Sequence, residues 1–172
     1  VRLHFHNKSR MYIAGTLIST GTFDEPVIFT GDRLEDLYED IPGQWDGIWF
    51  LPGSKDNELH FTEIRNAIIG IQVDTLASLD KPALLLANSK IENMTSTGLY
   101  AQGSTVEAFN TLFSNCGQFL AALMIGGSYE FNHCTFANYW GYSTRKTPSI
   151  FLNNYYIDIY GNTQIRPLEK VV

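Results

Sequence analysis

Cysteine and positive charge are both scarce in this chain: two cysteines and 12 Lys plus Arg in 172 residues, against 18 Asp plus Glu. Two thiols cannot build the disulfide framework that staples small loop-rich folds. A net charge of −6, with no basic run to offset it, excludes the footprint of a phosphate-backbone binder, so no nucleic-acid partner is expected. No apolar run reaches the ~18 residues that a spanning helix needs. The segment Phe119 to Ile125 is short and strand-like, so no membrane span is expected. Also missing are a G-x-S-x-G elbow, a P-loop and a dinucleotide fingerprint. His4, His6, His60 and His133 show no metal-ligand spacing, and no metal centre is expected from them.

What is present is apolar, aromatic and repetitive. Hydrophobic residues make up 44%, aromatics 13%, charged residues only 17%, and glycines number 14. That balance suits a β-rich domain with a continuous core. We expect one domain over residues 1–172. The chain starts at Val1 rather than Met and stops at Val172 without a turn signal, which reads as a piece of a longer protein.

One short phrase recurs four times, closing on Asn66, Asn93, Asn115 and Asn138, which lie 27, 22 and 23 residues apart. Two positions before each asparagine stand Ile64, Ile91, Phe113 and Phe136. Four before it stand the small residues Thr62, Ser89, Thr111 and Cys134, and seven before it Leu59, Leu86, Ala108 and Phe131. Intervening positions are mostly polar, which is the period-two alternation of a strand with one buried face. Strands recurring at ~23 residues with no helix between them cannot be strand–helix–strand crossovers. Stacked coils of a parallel solenoid, ~4.8 Å apart, bury like residues over like. In that register Glu63 meets Lys90 and Arg65 meets Glu92, while the four asparagines form a ladder at a turn. Cys116 and Cys134 fall in different columns, so two free thiols are expected.

Residues 31–46 break the pattern and read as an excursion off a corner. Leu34, Leu37, Tyr38 and Ile41 are expected to fold its apolar side back onto the coils. Ser149 to Leu152 and Tyr155 to Tyr160 read as strands of an unfinished last coil, which predicts end-to-end association with another copy or cover by a further segment. Asp32, Glu35, Asp36, Glu39, Asp40 and Asp46 could offer oxygens to Ca²⁺, but the spacing is not that of an EF-hand and Arg33 interrupts it. A solvated acidic loop is favoured, and no cofactor is expected. Asn7 and Asn93 open glycosylation triplets, with Asn93 committed to the ladder.

The repeated Ile/Phe-x-Asn phrase and its asparagine ladder resemble the right-handed parallel β-helix, or pectin-lyase-like, superfamily. With the segments Ala14–Leu17, Pro26–Arg33 and Pro42–Ile48, the chain is similar to uncharacterised secreted or lipid-anchored β-helix repeat proteins of Bacteroidetes. The resemblance implies a single-stranded right-handed parallel β-helix of about six or seven coils, located in the secreted, outer-membrane or cell-surface space. For sugar-cleaving members it implies chemistry on the outer face of the first strand of each coil. That maps to Glu58, His60, Glu107 and Glu130, with Glu107 and Glu130 stacked roughly 5 Å apart, as in a retaining glycosidase. The paired aspartates of polygalacturonases and the Arg-plus-Asp calcium arrangement of pectate lyases are both missing. The leading expectation is therefore a non-catalytic structural and binding solenoid with a glycan or envelope-protein partner, using Trp45, Tyr38, Trp140 and Tyr142. The alternative is a polysaccharide lyase or glycoside hydrolase using Glu107, Glu130 and His60.

Overall fold

The computed structural model describes residues 1–75 and 81–172; the sequence reads as a variable-length corner over Asp74 to Pro82, and part of that corner lies outside the described residues. Three parallel six-stranded sheets run along the stack. The first holds β1 (Arg2–Phe5), β4 (Val27–Gly31), β7 (Thr62–Arg65), β10 (Lys90–Met94), β13 (Leu112–Cys116) and β16 (Thr135–Ala137). The second holds β2 (Arg10–Ile13), β5 (Gly47–Phe50), β8 (Ile69–Val73), β11 (Thr97–Gln102), β14 (Phe119–Met124) and β17 (Ile150–Leu152). The third holds β3 (Ile18–Thr20), β6 (Asn57–His60), β9 (Leu84–Ala87), β12 (Thr105–Phe109), β15 (Gly127–Asn132) and β20 (Leu168–Val171). Each coil contributes one strand per sheet, giving a parallel β-solenoid of six turns.

The columns read from sequence are the registers found. Leu3, Phe29, Ile64, Ile91, Phe113 and Phe136 pair in succession down the first sheet. Leu59, Leu86, Ala108 and Phe131 do so in the third. Ile64, Ile91, Phe113, Leu59 and Leu86 are each at most 1% exposed, and side chains of this size contribute about 1.5–3 kcal/mol apiece when fully buried. The Phe113 and Phe136 rings stack at 4.9 Å and 5°. On the outside, Lys90 Nζ reaches Glu63 at 2.8 Å and Arg65 Nε reaches Glu92 at 3.2 Å, the charge pairs expected. Both cysteines are free, Cys116 buried and Cys134 half-buried.

Corners are made by residues that accept a left-handed backbone. Asn66, Asn93 and Asn115 have φ of 60°, 65° and 51°, a conformation asparagine tolerates better than most side chains. Asn93 Nδ2 donates to Asn66 Oδ1 at 2.6 Å, and Asn115 Nδ2 to Asn93 Oδ1 at 3.0 Å. The ladder stops there. Asn138 turns its amide to the Cys116 carbonyl at 2.9 Å and accepts from Trp140 N at 3.2 Å, because the chain leaves the coil at this point. Asn115 Oδ1 is left buried with no hydrogen-bond partner among the described residues.

Two further expectations need correction. The 31–46 excursion does not fold an apolar side inward: Leu34 and Leu37 are 75% and 84% exposed around a 3-10 turn at Asp36–Tyr38. Polar groups hold it instead. Asn66 Nδ2 donates to the Glu39 carbonyl at 2.7 Å, Asn93 Nδ2 to the Asp40 carbonyl, and Gln44 Nε2 to the Tyr38 and Ile41 carbonyls at 2.6 and 2.7 Å. The excursion thus covers the ladder. The second correction concerns the last coil, which is completed rather than left open. Tyr155–Ile157 (β18) pairs antiparallel with Thr163–Ile165 (β19) as a hairpin, after which β20 returns to pair with β15. A return over that distance has no local signal in sequence.

Candidate functional site

Period two puts Ile48 and Phe50 inside, so Trp49 between them faces out; Met11 and Ile13 do the same for Tyr12. In register on the outer face of the second sheet stand Tyr12, Trp49, Gln72, Tyr100, Ala122 and Phe151, one per coil. The Tyr12 and Trp49 rings lie 5.5 Å apart, and the Arg10 guanidinium sits 5.4 Å over the Trp49 ring. Asp46 holds Arg10 there at 3.7 Å.

Asp74 ties this stripe together. It accepts from Trp49 Nε1 at 2.6 Å and from Gln72 Nε2 at 3.0 and 3.3 Å. Burial, and then the negative charge of Asp74, push the Tyr100 hydroxyl above its ordinary value, so it stays a neutral donor. The result is a stripe in which the Tyr12 and Trp49 rings, tilted 44° to each other, are followed by Gln72 and Tyr100, with Asp74 bonded to Trp49 and Gln72.

At the edge of the stripe, Asp74 also lines a cleft of ≈ 560 Å³ between the solenoid corner and the hairpin. Gln102, Tyr156, Arg166 and Glu169 complete its polar wall. The hairpin base is pinned by backbone: Gly126 N donates to Asn153 O at 2.9 Å, Gly127 N to Pro167 O at 2.8 Å, and Arg166 N to Asn154 O at 2.7 Å. Gly126 has φ 73°, and a Cβ there would collide with the Pro167 carbonyl, so the close approach depends on glycine. At the hairpin tip Asp158 accepts from the backbone of Tyr160 and Asn162, each at 2.9 Å. Hydrogen bonds led by the Asn162 N–H hold its carboxyl below the usual range.

The residues singled out from sequence fall elsewhere. Trp45 is fully buried, stacked on Phe5 at 4.3 Å with Nε1 donating to Arg65 O at 2.8 Å. It cannot serve as a binding residue. Its backbone bridges to that of Ala67 one coil on. Tyr38 lies under the Arg33 guanidinium at 4.7 Å in a shallow groove with Arg2, His4 and Arg65. Trp140 and Tyr142 pack ring to ring at 4.9 Å, and the Tyr142 hydroxyl donates to Asp40 O at 3.0 Å. They brace a second excursion, 138–149, against the first across the ladder.

Glu107 and Glu130 are register neighbours, as expected. Lys170, brought in by β20, pairs with Glu130 at 2.5 Å, and Asn132 Nδ2 adds a bond at 2.7 Å. The hydrogen bond from Lys170 is the main reason the Glu130 carboxyl is held below its ordinary value. His60 lies two strands away on β6, 3.4 Å from Glu58 rather than near Glu107. The acidic residues of the excursion face different partners: Asp32 meets His6 at 2.7 Å and Glu35 meets Arg33 at 3.6 Å. Among the described residues, no three His, Cys, Asp or Glu are grouped to hold a metal ion, and no helix is long and apolar enough to cross a membrane.

The stripe was legible in principle, since parity alone turns Tyr12 and Trp49 outward once the strands are placed. Arg166 and Glu169 carried no such signal, because only the return of β20 brings them to the corner. Comparison with protein-family models, with curated proteins and with solved structures found no significant match, so the site is read from its own chemistry.

Proposed function

We propose that this chain is a non-catalytic binding solenoid of a secreted or cell-surface protein, and that it holds a glycan along the second sheet. The observation that carries this reading is the stripe of Tyr12, Trp49, Gln72 and Tyr100, stacked in register and tied by Asp74. Aromatic rings on a rigid face suit the C–H faces of sugars, and fixed amide, carboxylate and phenol groups suit their hydroxyls. Trp49 and Tyr100 lie two strands apart, about 9.6 Å at ~4.8 Å per strand, a span of the order of two pyranose rings. Glu130, paired with Lys170 at 2.5 Å and held below its ordinary value, lacks the raised carboxyl that a glycosidase needs as general acid.

The test is affinity electrophoresis on a panel of soluble polysaccharides, with product analysis of the same samples. Retardation by at least one polysaccharide, reduced about tenfold in affinity by Trp49→Ala or Tyr12→Ala with unchanged circular dichroism, supports the reading. No retardation by any of them sinks it. Reducing ends or unsaturated products that vanish in Glu107→Gln or Glu130→Gln would make the chain a carbohydrate-active enzyme instead.

A further inference from the structure

Resting on the glycan reading, we propose that the cleft at the edge of the stripe is a second subsite that receives a chain end or branch of a neutral glycan. The cleft, ≈ 560 Å³ in volume, shares Asp74 with the stripe, so one carboxylate borders both surfaces. It is larger than the cavities near the candidate residues, ≈ 230 Å³ beside Glu107, ≈ 240 Å³ beside Tyr38 and ≈ 340 Å³ beside Trp140.

Asp74 is engaged by Trp49 and Gln72, but the cleft's other polar side chains are not so committed. Among the described residues, the Gln102 amide, the Tyr156 hydroxyl, the Arg166 guanidinium and the Glu169 carboxylate each line the cleft without a side-chain partner. Together they offer both donors and acceptors, and Tyr156 adds a ring face. Hydroxyl groups, which donate and accept at once, match such a mixed set. The wall is also preorganised. The bonds from Gly126 and Gly127 to Asn153 and Pro167 fix the corner against the hairpin base, which reduces the ordering cost of binding.

Charge selects the ligand class. Two carboxylates, Asp74 and Glu169, and one guanidinium, Arg166, line the cleft, and the chain carries a net charge of −6. A polyanionic sugar chain would meet local and global repulsion, whereas a neutral one would meet none.

Isothermal titration with cellohexaose, xylohexaose and mannohexaose as neutral probes, and hexagalacturonate as the anionic probe, separates the outcomes. The expected result is binding of at least one neutral hexaose, with hexagalacturonate at least tenfold weaker in low salt. Arg166→Ala and Gln102→Ala, both on exposed or half-exposed side chains, are each expected to weaken the neutral hexaose about tenfold. Tighter binding of hexagalacturonate than of every neutral probe overturns the proposal. So does neutral binding that Trp49→Ala weakens while Arg166→Ala and Gln102→Ala leave it unchanged, a result that keeps the stripe and removes the cleft. Binding of none of the four probes overturns the cleft, while the glycan reading falls only if the polysaccharide panel also shows no retardation.

Discussion

Asn93 is the rung on which the ladder depends, and its removal should be costly in a specific way. Its amide donates to Asn66 Oδ1 at 2.6 Å and to the Asp40 carbonyl, and its Oδ1 accepts from Asn115 at 3.0 Å. The residue is 7% exposed, so water cannot easily replace those partners. At about 1 kcal/mol for each of three hydrogen bonds, Asn93→Ala loses about 3 kcal/mol. Alanine at φ 65° adds about 1 kcal/mol of left-handed strain, for a total of about 4 kcal/mol. Asn93→Gly accepts that backbone and should recover about 1 kcal/mol of the loss. Asn138→Ala removes only the bonds to Cys116 O and Trp140 N, at about 1–2 kcal/mol. Urea unfolding followed by fluorescence of the three tryptophans and by circular dichroism measures all three variants. With a slope of about 2 kcal/mol/M, the Asn93→Ala midpoint falls by about 2 M. If Asn93→Ala costs no more than Asn138→Ala, the ladder is not the source of stability argued here.

Three further outcomes follow from the same geometry. Burial alone would raise the Glu63 carboxyl, but the hydrogen bond from Lys90 and the attraction of Arg65 and Lys90 more than reverse it, so it lies below its ordinary 4.5. The stability it contributes is present above pH 4.5 and lost as pH falls through the lower folded value. Glu63→Gln should therefore flatten the acid limb of an unfolding-against-pH curve, and an unchanged limb would contradict the assignment. Burial pushes the Cys116 thiol up to about 12, so iodoacetamide at pH 8 should modify half-buried Cys134 first and Cys116 only with unfolding. Expression through a glycosylating secretory pathway should load exposed Asn7 and spare buried Asn93, which peptide mass spectrometry reads directly; a glycan on Asn93 would mean that the ladder corner opens.

The alternation around Ile64, Ile91, Phe113 and Phe136 determined the coil, its register and the outer charge pairs, because a strand's side-chain period is local and a one-residue slip would expose the whole apolar column. The recurrence of asparagine determined the left-handed corners for a similarly local reason, the tolerance of that side chain for positive φ. Contacts between distant segments were decided only in three dimensions. Trp45 became core through its stack on Phe5 and its bond to the Arg65 carbonyl, both contacts between segments distant in sequence. The excursion settled over the ladder through backbone carbonyls, which carry no residue-specific signature. Lys170 reached Glu130, and Arg166 and Glu169 reached the corner near Asp74, because the chain returned as β20 after a hairpin. No periodicity encodes that return, and the candidate cleft exists only because of it.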